Sequence, residues 1–155
     1  MNIIKIAIKR HLSEYLESKF FKTEVDAVVL PDCLDLYHVL WDLVGKRPAG
    51  VLDEHGLRLA LPHRQEGKDP RVYNWISKRG LRILEKKVEL MFWAEFHDHV
   101  DYCKHVLGLD YSDSVYTFMN RHSITGISED AMVKNYYRWR AKVRKRDIKR
   151  LYKVK

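Results

Sequence analysis

The sequence predicts a mostly helical α+β protein: a small N-terminal sheet or hairpin with two helices, then a C-terminal helical bundle with a helix-turn-helix-like end. Three observations predict it. A β-branched run, Ile3-Ile4-Lys5-Ile6, opens the chain, apolar residues keep a helical period over residues 81–107, and residues 129–155 carry 11 Lys and Arg against 3 acids. A chain of 155 residues with 46% hydrophobic and 12% aromatic content can bury a core of one domain or two small ones. The expected division is 1–66 as the small α+β part and 67–155 as the helical part, the two also being readable as one continuous domain.

The first segment admits two readings, since Ile4, Ile6 and Ile8 alternate as in a strand while Ile4, Ile8, Leu12, Leu16 and Phe20 step at helical spacing; the β-branched run favours a strand to about Ala7 and then a helix with Leu12, Tyr15, Leu16 and Phe20 on one face. Residues 25–30 are β-prone. After Pro31-Asp32, the spacing of Leu36, Val39, Leu40 and Leu43 predicts a second helix ending at Gly45. Residues 51–61 read as a hairpin closed by Gly56, with Leu57, Leu59 and Leu61 on one face. Asp69-Pro70 has the residue types of a helix start, and that helix is expected to run through Tyr73, Trp75 and Ile76 to Gly80. Next comes the longest helical pattern: Leu81, Leu84, Val88, Met91, Phe92, Phe96, Val100, Cys103 and Leu107 form one broad stripe closed by Gly108. A shorter helix over residues 112–121 carries Val115, Phe118 and Met119. Ser128 then caps a final helix, with Glu129 and Asp130 in the first turn where the helix dipole favours acids.

This last helix holds the charge. The chain's net charge is +8, and residues 1–128 balance at 18 cations against 18 acids, so the excess lies in residues 129–155. At 100° per residue, Met132, Tyr136, Trp139 and Val143 fall within roughly 40° of one line, an apolar face able to pack. Lys134, Arg138, Lys142, Lys145 and Lys149 fall together on the other side. Cations about one turn apart suit a polyanion. The expected function is therefore non-enzymatic nucleic-acid binding, DNA first with RNA left open, through Lys134, Asn135, Arg138, Lys142, Lys145 and Lys149. Asn135 is included because its amide is able to pair with adenine.

Two helices joined through Gly126 give residues 112–143 a helix-turn-helix outline. The linker is longer than the tight turn of that motif, and Glu129 and Asp130 would repel phosphates at the end that usually approaches bases. Phosphate contact by the middle and C-terminal half is expected instead. The run I-S-E-D-A-M-V-K-N-Y-Y-R-W-R at 127–140, with the opening IKIAIKRHLSEYLESKF at 4–20, resembles small uncharacterised proteins of phage-like and transposable elements in Bacteroides-type bacteria. That resemblance implies a mobile-element or phage-like protein that handles DNA, and brings with it no activity or catalytic residue.

Two other classes compete. Glu95, His97, Asp98, His99, Asp101, Cys103 and His105 crowd one helical stretch, with Asp110 beyond it, and pairs four residues apart can share one metal ion. A metal-dependent enzyme using residues 95–105 is the alternative this pattern offers; three in a row are spread over about 12 Å of helix rise, so no metal, cofactor or catalytic residue is assigned. His97, Asp101 and His105 are instead expected as a solvated ridge, with His99 packed beside Cys103. The other class is a protein-binding or homo-oligomer surface made of Tyr136, Tyr137, Trp139 and Tyr152 among the cations. The sequence contains no glycine-rich phosphate loop and no H-E-x-x-H or G-x-S-x-G. It also has no apolar run long enough to cross a bilayer and no uninterrupted signal-peptide core, so a cytoplasmic location without membrane contact is expected. Cys33 and Cys103 each sit among apolar residues on a predicted helix and are expected as buried thiols, not as a disulfide or redox pair.

Overall fold

A computed structural model describes residues 1–52, 55–64 and 66–154. The chain is α+β and mostly helical, and it divides into two compact units, Met1–Trp93 and Ala94–Lys155. The division falls inside the long helix, later than the polar stretch around residue 66.

In the first unit, β1 (Ile3–Ile6) leads into α1 (Arg10–Phe20), followed by β2 (Phe21–Lys22), β3 (Ala27–Val28), α2 (Asp35–Leu43), β4 (Val44–Lys46), β5 (Leu57–Ala60) and β6 (Tyr73–Ile76). Strands β1-β5-β3-β2 form one sheet and β4-β6 a second. The strand-then-helix opening is as the sequence predicts: Ile4 and Ile6 are buried from β1, and Leu12, Tyr15 and Leu16 from α1. No side chain of α1 caps its own start; instead the Lys9 N–H donates to Glu85 Oε2 at 3.0 Å, and Lys9 Nζ pairs with Glu89 Oε1 at 3.0 Å. The Glu89 hydrogen bond raises the Lys9 pKa, and the same bond lowers that of Glu89.

Cys33, expected to be buried on a helix, is exposed in the turn before α2, and three further expectations change in this unit. First, the described residues of 51–61 do not pair with one another as a hairpin. Leu57–Ala60 is a strand whose partners are distant: β1 antiparallel, Ile3 opposite Ala60 and Ile6 opposite Leu57, and β3 parallel, Val28 opposite Leu59. Val51 and Leu52 are exposed coil, and Asp53 and Glu54 lie outside the described residues. Gly56 leads into β5 against the end of β1, because a Cβ there would collide with the Ile6 carbonyl oxygen. Second, the Asp69-Pro70 cap drives one turn only. Asp69 accepts from Arg71 N–H at 2.9 Å, after which residues 73–76 extend as β6 against β4, Val44 opposite Ile76 and Gly45 opposite Trp75. Third, α2 stops at Leu43 without a left-handed cap, so Gly45 is a strand residue.

Helix α3 (Lys78–His105) spans 28 residues and starts before Gly80, which is not a stop. Ser77 Oγ accepts from the Gly80 N–H at 3.0 Å, a cap one turn earlier than expected. The predicted stripe is buried at Leu84, Val88, Phe92, Phe96, Val100 and Cys103, whereas Leu107 is exposed past the helix end. Gly108, at φ +67°, turns the chain so that the Leu109 N–H reaches the Cys103 carbonyl at 2.9 Å. The second unit takes α3 from residue 94 and adds α4 (Tyr111–Arg121) and α5 (Glu129–Lys153). No helix among the described residues is long and apolar enough to cross a membrane.

Gly56→Ala tests the β1–β5 entry. Its φ of +150° and the carbonyl contact both oppose a side chain, so urea unfolding is expected to show a loss of about 2 kcal/mol or more.

Candidate nucleic-acid interface

Helix α5 begins as predicted, with Ser128 Oγ accepting from the Ala131 N–H at 3.2 Å and Glu129 and Asp130 in the first turn. Its apolar face then packs within the second unit. Met132 and Tyr136 are fully buried, while Trp139 and Val143 are half-buried. Lys134, Arg138, Lys142, Lys145 and Lys149 are all exposed on the other side, so the cationic stripe faces water. Of these five, Lys134 forms an ion pair, with Asp130 Oδ2 at 2.7 Å. Both partners are well exposed, so solvent screens the pair and a phosphate can displace it.

The side chains that hold α5 come from the histidine and acid stretch of α3. His97 is buried, stacks on Trp139 with ring centroids 4.4 Å apart and planes 12° from parallel, and donates from Nε2 to Asn135 Oδ1 at 2.7 Å. Tyr136 donates its hydroxyl to Asp101 Oδ1 at 2.6 Å. Burial, and then this hydrogen bond, push the Tyr136 pKa well above the ordinary phenol range, so the ring stays protonated. On the α4 side, His99 donates to the Ser114 carbonyl at 3.0 Å, and Phe96 meets Phe118 edge-on at 5.2 Å.

The expected solvated ridge is therefore wrong for its first two members: His97 and Asp101 face α5 and fix its register. Only His105 is exposed. His99 does sit beside Cys103, with Nε2 3.5 Å from Sγ. Among the described residues no three His, Cys, Asp or Glu side chains converge as a metal set. Asn135 also departs from its sequence reading, because its amide oxygen is committed to His97 and the side chain is half-buried, apart from the stripe. Base reading by Asn135 would break that bond. The aromatic surface shrinks too: Tyr136 is interior and Trp139 is stacked, leaving Tyr137 and Tyr152 exposed.

Sequence reasoning missed the length of α5 that nothing covers. Every residue from 144 to 154 is exposed, including Ile148 at 52%, Leu151 at 72% and Tyr152 at 77%. The available signal was the apolar line itself, which runs out after Val143. In the first unit, a partly open pocket of about 200 Å³ is bordered by Ile4, Ile6, Trp75, Leu81, Lys5, Arg47 and Lys78, with no acid or histidine in its described lining.

Burial lowers the pKa of His97 and of His99 from the ordinary 6.5. Unfolding then takes up protons, so their contribution to stability is complete above about pH 6.5 and is lost as pH falls toward the lowered folded values. The melting temperature is expected to be level above about pH 7 and to drop between pH 6.5 and 5. His97→Phe keeps a ring on Trp139 and removes one titrating group, so its profile over that window is expected to be flatter. Comparison with known proteins finds no matching family model, no matching curated protein and no matching solved structure.

Proposed function

We propose that this protein binds duplex nucleic acid, DNA in the first instance, through the exposed cations of α5, and that it acts by binding and not by catalysis. The observation that carries this reading is the two-sidedness of the helix. Met132, Tyr136 and Trp139 anchor it, while Lys134, Arg138, Lys142, Lys145 and Lys149 stand in water on the opposite side. Successive cations on such a helix are about 4.5–6 Å apart along the axis, close enough for each to meet its own phosphate. Contacts of this kind position a protein on a duplex with modest sequence preference. A role in a mobile element or phage-like system, implied by the resemblance at both ends of the chain, fits a DNA-handling protein and is part of the same proposal.

A second reading is supported by the exposed Tyr137, Ile148, Leu151 and Tyr152, which offer apolar contact to a protein partner or another copy of the chain. The two readings separate on charge. In the variant Lys134→Gln, Arg138→Gln, Lys142→Gln, Lys145→Gln, helix propensity and the packed face are retained. Its thermal melting is expected to match the parent. Its affinity for a random DNA duplex should weaken, and the slope of log affinity against log salt should flatten by about 3 to 4. A variant that melts normally and binds the duplex with unchanged affinity and salt slope would replace this reading with the protein-partner one.

A further inference from the structure

The cations of α5 are arranged differently before and after Val143. Up to Val143 one side of the helix is packed, and Lys134, Arg138 and Lys142 share the opposite side. Beyond it the helix continues to Lys153 with no covered side, and the stretch 144–153 carries six Lys and Arg against one acid, Asp147. At 100° per residue, Arg144, Lys145, Arg146, Lys149, Arg150 and Lys153 are spread over about 240° of the circumference. Lys145, Lys149 and Lys153 continue the stripe or border it. Arg144, Arg146 and Arg150 point away from it.

A helix lying against one phosphate strand uses one side only. Arginines around most of the circumference suit a helix with phosphates on both flanks. That is the situation in the major groove of B-form DNA, which is about 12 Å wide, matching a helix of about 10–12 Å diameter with side chains. We infer that residues 144–153 form a helical arm that enters the major groove of duplex DNA and contacts the phosphates of both strands, an assignment that rests on α5 being a nucleic-acid surface. The arm is about 15 Å long, enough to follow the groove for part of a turn. Charge complementarity selects this occupant over a second copy of the chain, whose arm would bring the same six cations. Fixing an otherwise uncovered helix end on the duplex also stabilises turns that no tertiary packing supports.

Groove entry predicts a preference that phosphate contact alone does not. A-form RNA has a deep, narrow major groove that excludes a helix. The experiment measures anisotropy binding of the full chain to a labelled DNA duplex of about two turns and to the RNA duplex of the same sequence, each across a salt series. It is repeated with the variant Arg144→Gln, Arg146→Gln, Arg150→Gln and with a chain ending at Val143. Both altered proteins keep Met132, Tyr136, Trp139 and Val143, and melting by circular dichroism checks their folding. The full chain is expected to bind DNA at least about 10-fold tighter than RNA. The triple Gln variant should flatten the DNA salt slope by about 2 to 3. The shortened chain should lose about 100-fold or more in DNA affinity and bind the two duplexes alike. Equal binding of DNA and RNA by the full chain overturns groove entry while leaving the phosphate reading in place. So does a normally folded triple variant with unchanged DNA affinity and salt slope, since those arginines then face water. Absence of binding to either duplex removes both this inference and the function it rests on.

Discussion

Both cores of this protein hang on one helix, and the step from Phe92 to Phe96 on α3 marks the handover between them. Phe92 is fully buried against Tyr15 and His11 of the first unit, with the Tyr15 ring edge-on at 5.3 Å. Phe96, one turn later on the same stripe, is fully buried against Phe118 of the second. Within each unit, the helical period of α3 supplies a large aromatic to the core. A proline or glycine between them would break the stripe and deprive each core of its register; the sequence there, Trp93-Ala94-Glu95, contains neither.

The same helix also positions α5, by polar groups as much as by packing. His97 and Asp101 lie one turn apart and receive Asn135, Trp139 and Tyr136 from α5. Leaving buried His97 or Tyr136 unpaired costs more than a typical hydrogen bond contributes, so the set holds α5 in one rotation about its axis. That rotation decides which side of α5 is wet. A turn of the helix by a few tens of degrees would carry Arg138 or Lys142 toward the packed side, where an unpaired cation is costly. The polar cluster that reads as a site in the sequence is thus the device that orients the charged surface.

Much of this was legible residue by residue. The strand-then-helix opening, the α3 stripe, the Ser128 cap and the two faces of α5 follow from local rules of period and capping, and each is present. The misread positions share a cause. Asp69-Pro70 and Gly80 carry helix start and stop signals in a segment that pairs with β4 instead, because Tyr73, Asn74, Trp75 and Ile76 suit a strand once a partner lies beside them. Leu57–Ala60 alternates as a hairpin arm would, but its hydrogen bonds go to β1, more than fifty residues away.

The sequence by itself determined that the chain is mostly helical, that its positive charge is concentrated at one end, and that this end is an amphipathic helix. These are properties of composition and of periods within a few turns, which a single chain carries openly. Only the tertiary structure decided which strands pair, that His97 bonds to Asn135 and Asp101 to Tyr136 between α3 and α5, and that packing on α5 ends at Val143 while the helix runs on to Lys153. Those outcomes depend on which residues far apart in sequence become neighbours, and a side chain's role is set by what desolvates it and what it can bond there, neither of which a local pattern contains.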